Sequence, residues 1–123
     1  MVAVVDDNQS LREAFARMLR ASEFDVAVFG SGGEFLESLK SASPDCVVLD
    51  MQMPDISGLD VQHALTRSNA HLPVIVVTAF DRVALRESCL KVGATAYLSK
   101  PVRRDVLVGA INDALRLRHD PHH

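Results

Sequence analysis

Five short apolar segments, most of them rich in valine, recur along the chain and constrain its fold more than any other feature. They are Val2–Val5, Val26–Phe29, Cys46–Leu49, Val74–Val77 and Thr95–Leu98. Three of them are almost continuously apolar, which is typical of strands buried on both faces of a parallel sheet covered by helices. The last segment is weaker and predicts a short edge strand.

The stretches between these segments predict amphipathic helices. In the first, Leu11, Phe15 and Leu19 recur at four-residue steps and would form one apolar face. The last helix is predicted from about Arg103 to Arg118. Strand and helix alternate five times with short connections, which predicts a single α/β domain with right-handed crossovers.

Helix boundaries are marked by capping residues. Ser31 is followed three residues later by a glutamate, which is the capping-box spacing, and Ser57 or Gly58 starts the third helix. Asp81 is a candidate N-cap for the fourth helix. Gly93 is its expected C-terminal stop.

Composition and charge exclude several classes of protein. The chain has 123 residues, enough for one domain, and its 48% hydrophobic and 24% charged residues argue against a disordered protein. Thirteen basic against 16 acidic residues give a formal charge of −3, so we expect no direct nucleic-acid binding by this segment. The longest apolar runs are far shorter than the roughly 20 residues that cross a bilayer.

Location and redox state follow from the N-terminus and the two cysteines. The first residues lack the charged region and cleavage site of a signal peptide. We therefore expect a cytoplasmic protein in which Cys46 and Cys89 are reduced, buried or half-buried thiols rather than a disulfide.

Chemically useful side chains follow four of the five predicted strands. Asp6 and Asp7 follow the first, Asp50 the third, Thr78 the fourth and Lys100 the fifth. Open α/β sheets place their ligand sites at the carboxyl ends of the strands, so these five side chains should converge on one edge. Each alone has an ordinary explanation, such as a helix cap or a solvated charge, but their coincidence predicts a site.

Three clustered carboxylates repel one another unless a cation shares their site. Oxygen ligands favour a hard ion such as Mg²⁺, and no cluster of His or Cys competes for a softer metal. An aspartate held beside Mg²⁺ and a lysine has the parts needed to accept a phosphoryl group as a nucleophile.

Four motifs carry a resemblance to a known family. They are VVDDN at 4–8, VVLDMQMPDISG at 47–58, VVTA at 76–79 and GATAYLSKP at 93–101. Together they resemble the receiver domain of bacterial two-component response regulators, most closely the FixJ/NarL class. The resemblance covers the chain through about Leu117. It implies a flavodoxin-like receiver fold, a doubly wound (βα)5 sandwich whose five-stranded parallel sheet has the order 2-1-3-4-5.

The resemblance also implies the chemistry of the site. Asp50 would be the phosphoacceptor, and Asp7 and Asp50 would bind Mg²⁺ directly, with the main-chain carbonyl of Gln52 as a third protein ligand. Asp6 would reach the metal mainly through water. Lys100 would contact the acyl phosphate.

Other positions would have switching or structural roles. Thr78 would move to hydrogen-bond the phosphoryl group, and Tyr97 would change rotamer with it. The peptide bond before Pro101 would be cis, an isomer that proline makes accessible. Pro54 and Gly58 would shape the loop after the acceptor.

The implied function is a phosphorylation-dependent signalling switch rather than an enzyme acting on other substrates. A sensor histidine kinase would donate the phosphoryl group, and the surface of the fourth helix, fifth strand and fifth helix would respond. That surface would control an output domain, expected to be transcriptional, or a homodimer. Four arginines there are either solvated charges or part of a dimer contact: Arg82, Arg86, Arg103 and Arg104.

Gln52 and Phe80 occupy two positions that vary in this family and tune the lifetime of the phosphoryl group. Because Phe80 cannot orient an attacking water, we expect slow self-catalysed dephosphorylation.

Two other classes are weighed against this one. A small Mg²⁺-dependent phosphohydrolase of the haloacid-dehalogenase type would usually need an acidic residue where Gln52 stands. A flavodoxin-like electron carrier would need a Ser/Thr-rich loop after the first strand, where Asp6 and Asp7 would repel the FMN phosphate.

The expected domain boundary lies near the end of the last helix. We assign 1–118 to the receiver domain and interpret 119–123 as a linker or purification-tag remnant, since it ends in histidines. A FixJ-like regulator would continue into a helix-turn-helix domain. Either the chain is cut at about His119 or the natural protein stands alone, and the terminal histidines favour the first.

Overall fold

A computed structural model of the chain describes residues 1–54, 56–68 and 71–118. The predicted linker or tag remnant at 119–123 lies outside this part. Strands and helices alternate five times, as predicted: β1 (Val2–Val5), α1 (Gln9–Ala21), β2 (Val26–Phe29), α2 (Gly32–Ser38), β3 (Cys46–Asp50), α3 (Gly58–Arg67), β4 (Val74–Thr78), α4 (Val83–Val92), β5 (Ala96–Ser99) and α5 (Arg104–Arg118).

The five strands form one parallel sheet in the order β2-β1-β3-β4-β5, which confirms the predicted topology. Every residue of β1, β3 and β4 is buried, whereas β2 and β5 are only partly buried. The sequence shows the same difference, because the central strands have near-continuous apolar runs. The edge strand β5 begins and ends one residue later than predicted.

Two apolar cores cover the two faces of the sheet. Val2 and Val4 of β1 belong to the core formed with α1 and α5, while Ala3 and Val5 face the core formed with α2, α3 and α4. Alternate residues of a strand point to opposite faces, so each central strand contributes to both cores. Cys46 and Cys89 are buried in different cores, which confirms the prediction of buried, reduced thiols.

Side-chain caps start α2 and α3 where the sequence predicts. The Ser31 hydroxyl accepts a hydrogen bond from the Glu34 amide, and the Glu34 carboxylate accepts one from the Gly30 amide. Ser57 and Asp60 form a complete capping box at α3. These bonds satisfy amides that have no partner within the helix.

The prediction that Asp81 caps α4 is wrong. The N-cap is Arg82, which makes no side-chain cap bond, and the Asp81 carboxylate instead accepts a hydrogen bond of 2.8 Å from the Ser99 hydroxyl. The Asp81 carboxylate therefore bonds to a residue 18 positions away in sequence instead of to an amide at the start of α4. Gly93 ends the helix as predicted, with φ of 115° in the left-handed region that glycine tolerates.

No helix among the described residues is both long enough and apolar enough to cross a bilayer.

Candidate functional site

The parallel sheet brings the predicted site residues to one edge. Asp50 and Thr78 are the last residues of β3 and β4, and Asp6 and Lys100 directly follow β1 and β5. Asp6, Asp50 and Thr78 are buried, and Lys100 is 15% exposed. The strand-end rule therefore finds these side chains from sequence, because parallel strands all end at the same side.

Three carboxyl groups meet at this edge. Asp6, Asp7 and Asp50 each offer an oxygen, and these oxygens all lie within 4.8 Å of one another. Asp7 is exposed, whereas Asp6 and Asp50 are 2% and 4% exposed. The cluster thus opens to solvent on the side of Asp7 alone.

Lys100 contacts two of these acids. Its Nζ lies 3.2 Å from Oδ2 of Asp6 and 3.2 Å from Oδ1 of Asp50. The Lys100–Pro101 bond is cis, which confirms the expectation drawn from the resemblance. One ammonium therefore faces three carboxyl groups, and the site keeps an excess of acid.

Asp6 is held in place by the start of α1. Its Oδ1 accepts a hydrogen bond of 2.9 Å from the Asn8 amide, and its main-chain oxygen accepts one from Arg12. Asn8 in turn caps α1 by accepting a bond from the Leu11 amide. The acid is therefore anchored by local structure before any ligand arrives.

The surroundings of Asp50 disfavour its ionised form. Burial, and next the nearby charge of Asp6, raise the pKa of Asp50 from 3.8 to about 6, although Lys100 acts in the opposite direction. The positive charge of Lys100 therefore does not cancel the effects of burial and of the Asp6 charge on the pKa of Asp50.

The cluster fits a divalent cation of the hard class. All of its donors are oxygens, and they are close enough to share one ion. The pKa of Asp50 is raised by burial first and then by the charge of Asp6, and a bound cation would favour the ionised form against both. Mg²⁺ typically takes one or two carboxylates together with phosphate oxygens and water, which suits a cluster with one open side.

Gly58 has a steric reason to lack a side chain. A Cβ at this position would lie 2.6 Å from the main-chain oxygen of Asp50 and 2.7 Å from Cε of Met51. The first turn of α3 therefore packs directly against the end of β3. Pro54 lies exposed in the loop between these two elements.

The Thr78 hydroxyl is part of a bonded network with the loop after β3. Oγ1 donates to Oε1 of Gln52 at 2.9 Å and accepts from the Phe80 amide at 3.0 Å. The Ala79 amide also donates to Oε1 of Gln52, at 3.3 Å. Sequence reasoning gave the main chain of Gln52 a role in metal binding and its position a role in phosphoryl lifetime, but it missed the bond between the Gln52 side chain and Thr78. The available signal was a long amide placed two residues after Asp50, beside a strand that ends in a hydroxyl.

Tyr97 lies in β5, partly buried against the core beneath α4. Its hydroxyl oxygen is enclosed and makes no hydrogen bond within residues 1–54, 56–68 and 71–118. Burial raises the pKa of Tyr97 above its ordinary value.

Comparisons with known proteins agree with this geometry. A sequence model of the response regulator receiver domain matches residues 2–112. The transcriptional regulatory protein TdiR of Thauera aromatica is 37% identical over 119 residues, which are 97% of this chain and 52% of TdiR. The response regulator MprA of Mycolicibacterium vanbaalenii is 37% identical over 115 residues, which are 94% of this chain and 50% of MprA.

A solved structure is also similar. The crystal structure of FixJ-N matches with a TM-score of 0.88 and 30% identity, covering 94% of this chain and 92% of FixJ-N. The chain spans about half the length of the curated relatives it matches.

Proposed function

Because the chain belongs to the response regulator receiver domain family, we propose that Asp50 accepts a phosphoryl group from a sensor histidine kinase. The observation that carries this proposal is the position of Asp50, buried, bonded to Lys100, and within 4.8 Å of the Asp6 and Asp7 oxygens. A carboxylate so placed has a cation on one side and room for a metal ion on the other.

The transfer is an in-line displacement. A carboxylate oxygen of Asp50 forms a bond to phosphorus while the bond from phosphorus to the imidazole nitrogen of the kinase breaks, and the imidazole leaves with the electron pair. At neutral pH, a pKa of about 6 leaves most of Asp50 ionised and able to attack. The Lys100 ammonium offsets the charge on the transferred oxygens.

Residues of this chain would hold the metal ion. Asp7 and Asp50 would bind it directly, with the main-chain carbonyl of Gln52, and Asp6 would act mainly through water. Bound Mg²⁺ supplies charge neutralisation for the phosphoryl oxygens and for the acids themselves.

The phosphoryl group would then act as a switch. It carries a charge of roughly −1.5 to −2 in place of the single charge of the carboxylate, and it brings three acceptor oxygens next to Thr78 and Lys100. The Thr78 hydroxyl would turn toward these oxygens, and Tyr97 would change rotamer with it. The surface formed by α4, β5 and α5 would change as a result.

The exposed residues of α4 support an interaction at that surface. Val83 and Leu90 are 74% and 43% exposed, and Phe80 just before the helix is 58% exposed. Exposed apolar side chains mark an interaction surface where they form a contiguous patch. We propose that phosphorylation makes this surface form a homodimer or act on an output domain in the part of the protein beyond this chain, with transcription as the regulated process.

In this proposal the chain catalyses only its own phosphorylation and dephosphorylation, in the cytoplasm. A phosphohydrolase is not favoured, because Gln52 stands where an acid would be needed and its side chain is bonded to Thr78.

Labelling by a small phosphodonor tests the proposal. With acetyl phosphate and Mg²⁺, intact-mass measurement should show one phosphoryl group on the parent and on Asp25→Asn, a control at an exposed position. Asp50→Asn should show none. Full labelling of Asp50→Asn would mean that another residue is the acceptor.

A further inference from the structure

The side-chain oxygen of Gln52 holds two hydrogen-bond donors at the end of β4. The Thr78 hydroxyl donates to it at 2.9 Å, and the Ala79 amide donates to the same oxygen at 3.3 Å. The main-chain amide of Gln52 donates a hydrogen bond to Oδ1 of Asp50, at 3.4 Å. One residue thus links the acceptor aspartate to the switch hydroxyl.

The direction of the bond from Thr78 matters. A hydroxyl has a single proton, and the Phe80 amide already donates to the lone pairs of Oγ1. The hydroxyl proton of Thr78 is therefore used in the bond to Gln52. As long as this bond is formed, Thr78 cannot donate to a phosphoryl oxygen on Asp50.

We propose that Gln52 is a positioning residue whose carboxamide oxygen takes the place of a phosphoryl oxygen in the resting protein. It occupies the Thr78 hydroxyl and the Ala79 amide, and phosphorylation of Asp50 must displace it from both. This inference rests on the proposed function and adds a residue that opposes the switch.

The energetic consequence has a definite sign. Without the Gln52 oxygen, the buried Thr78 hydroxyl has no acceptor in the resting state, whereas a phosphoryl oxygen would still satisfy it. When the acceptor of a buried donor is removed, the donor is left without a partner, and this destabilises the protein more than the loss of an exposed hydrogen bond. Loss of the Gln52 side-chain oxygen should therefore favour the phosphoryl-bound state, by about 5- to 30-fold for two shared bonds.

Gln52→Met is the test variant, because methionine has nearly the same length but no comparable acceptor. The probe is beryllofluoride, which mimics an acyl phosphate, titrated in the presence of saturating Mg²⁺. Gln52→Met should bind it about 5- to 30-fold more tightly than the parent. Titration with Mg²⁺ alone measures any change at the metal site, and a gain that comes entirely from tighter Mg²⁺ binding would contradict the proposed role of the Gln52 oxygen.

Gln9→Met is the matched control. It makes the same chemical change at an exposed position at the start of α1, where the Gln9 side chain donates only to Glu13. Its beryllofluoride affinity should equal that of the parent.

A double-mutant cycle with Thr78→Ala tests the route of the effect. If Gln52 acts through Thr78, the gain from Gln52→Met should shrink at least severalfold in the Thr78→Ala background. An equal gain in both backgrounds would contradict the assigned contact. In metal-free protein, faster hydrogen exchange of the Ala79 amide in Gln52→Met is also expected, and this readout is independent of any phosphoryl chemistry.

The outcomes separate this inference from the function it rests on. If the parent binds beryllofluoride and Gln52→Met binds it no more tightly, the role of Gln52 is overturned and the proposed function stands. If the parent does not bind the mimic in millimolar Mg²⁺, the proposed function fails, and this inference fails with it.

Discussion

The Nζ atom of Lys100 lies 3.2 Å from Oδ1 of Asp50, a contact that spans 50 residues of sequence and crosses over the end of the intervening strand β4. Lys100 reaches Asp6 at the same distance, so one ammonium is shared by two buried acids. The arrangement holds Asp50 in place but leaves its charge incompletely offset, and this imbalance should make the stability of the protein depend on pH and on Mg²⁺.

The pKa of Asp50 predicts how the stability of the metal-free protein changes with pH. Its folded-state pKa of about 6 lies above the ordinary 3.8, so the folded protein binds this proton more tightly than the unfolded chain. The stabilisation of the folded protein that this proton provides is fully present below pH 4 and is lost as pH rises through 6. The change in the free energy of unfolding is on the order of 3 kcal/mol.

Asp50→Asn should remove this part of the pH dependence. Denaturant unfolding in EDTA between pH 4 and 7.5 measures it: the free energy of unfolding of the parent should fall relative to that of Asp50→Asn as pH rises. Parallel curves for the two proteins would show that burial of Asp50 has no such cost.

Mg²⁺ should stabilise the folded protein, because it binds the clustered acids of the native state. At a concentration 100 times the Kd, the gain is about 2.7 kcal/mol, or roughly 5–10 °C in Tm. Asp7→Asn should lose most of this gain, and because Asp7 is exposed, its Tm in EDTA should stay close to that of the parent. An equal response of both proteins to Mg²⁺ would remove Asp7 from the metal site.

Phe80 should make the acyl phosphate long-lived. Its side chain is 58% exposed and offers no hydrogen-bonding group to orient a water molecule. Phe80→Glu or Phe80→Asn should therefore lose the label about tenfold or more faster, up to the roughly 100- to 10,000-fold that well-positioned proton-transfer groups contribute. Decay of the label after removal of the donor measures this. Decay no faster than in the parent would contradict it.

Phosphorylation should promote a dimer through α4, β5 and α5. Multi-angle light scattering should show a larger mass when beryllofluoride and Mg²⁺ are added, and Arg86→Glu should weaken the association. Arg17→Glu reverses a charge on the exposed part of α1 and serves as the control. A strict monomer under both conditions would dismiss the dimer.

The fold and most of the site could be predicted from the sequence, for a simple reason. Buried parallel strands are nearly continuous in apolar residues, and the polar residue that ends each one marks the same edge of the sheet. The contact between Asp50 and Lys100 follows from this rule, although the two residues are 50 positions apart in sequence.

Contacts that depend on side-chain rotamers could not be predicted in this way. Asp81 looks like a helix cap in sequence, but its carboxylate accepts a hydrogen bond from the Ser99 hydroxyl, which the end of β5 brings beside it. The bond from Thr78 to Gln52 likewise depends on the register of β3 and β4 and on which way a flexible amide turns. Local patterns carry no information on either.

A crystal structure at millimolar magnesium with beryllofluoride would show directly whether Asp50 is the acceptor in a metal site. We expect one cation bound to Asp7, Asp50 and the Gln52 carbonyl, with a tetrahedral group on Asp50 that contacts Lys100 and Thr78. Acids that point away from one another, with no cation among them and nothing attached to Asp50, would contradict it.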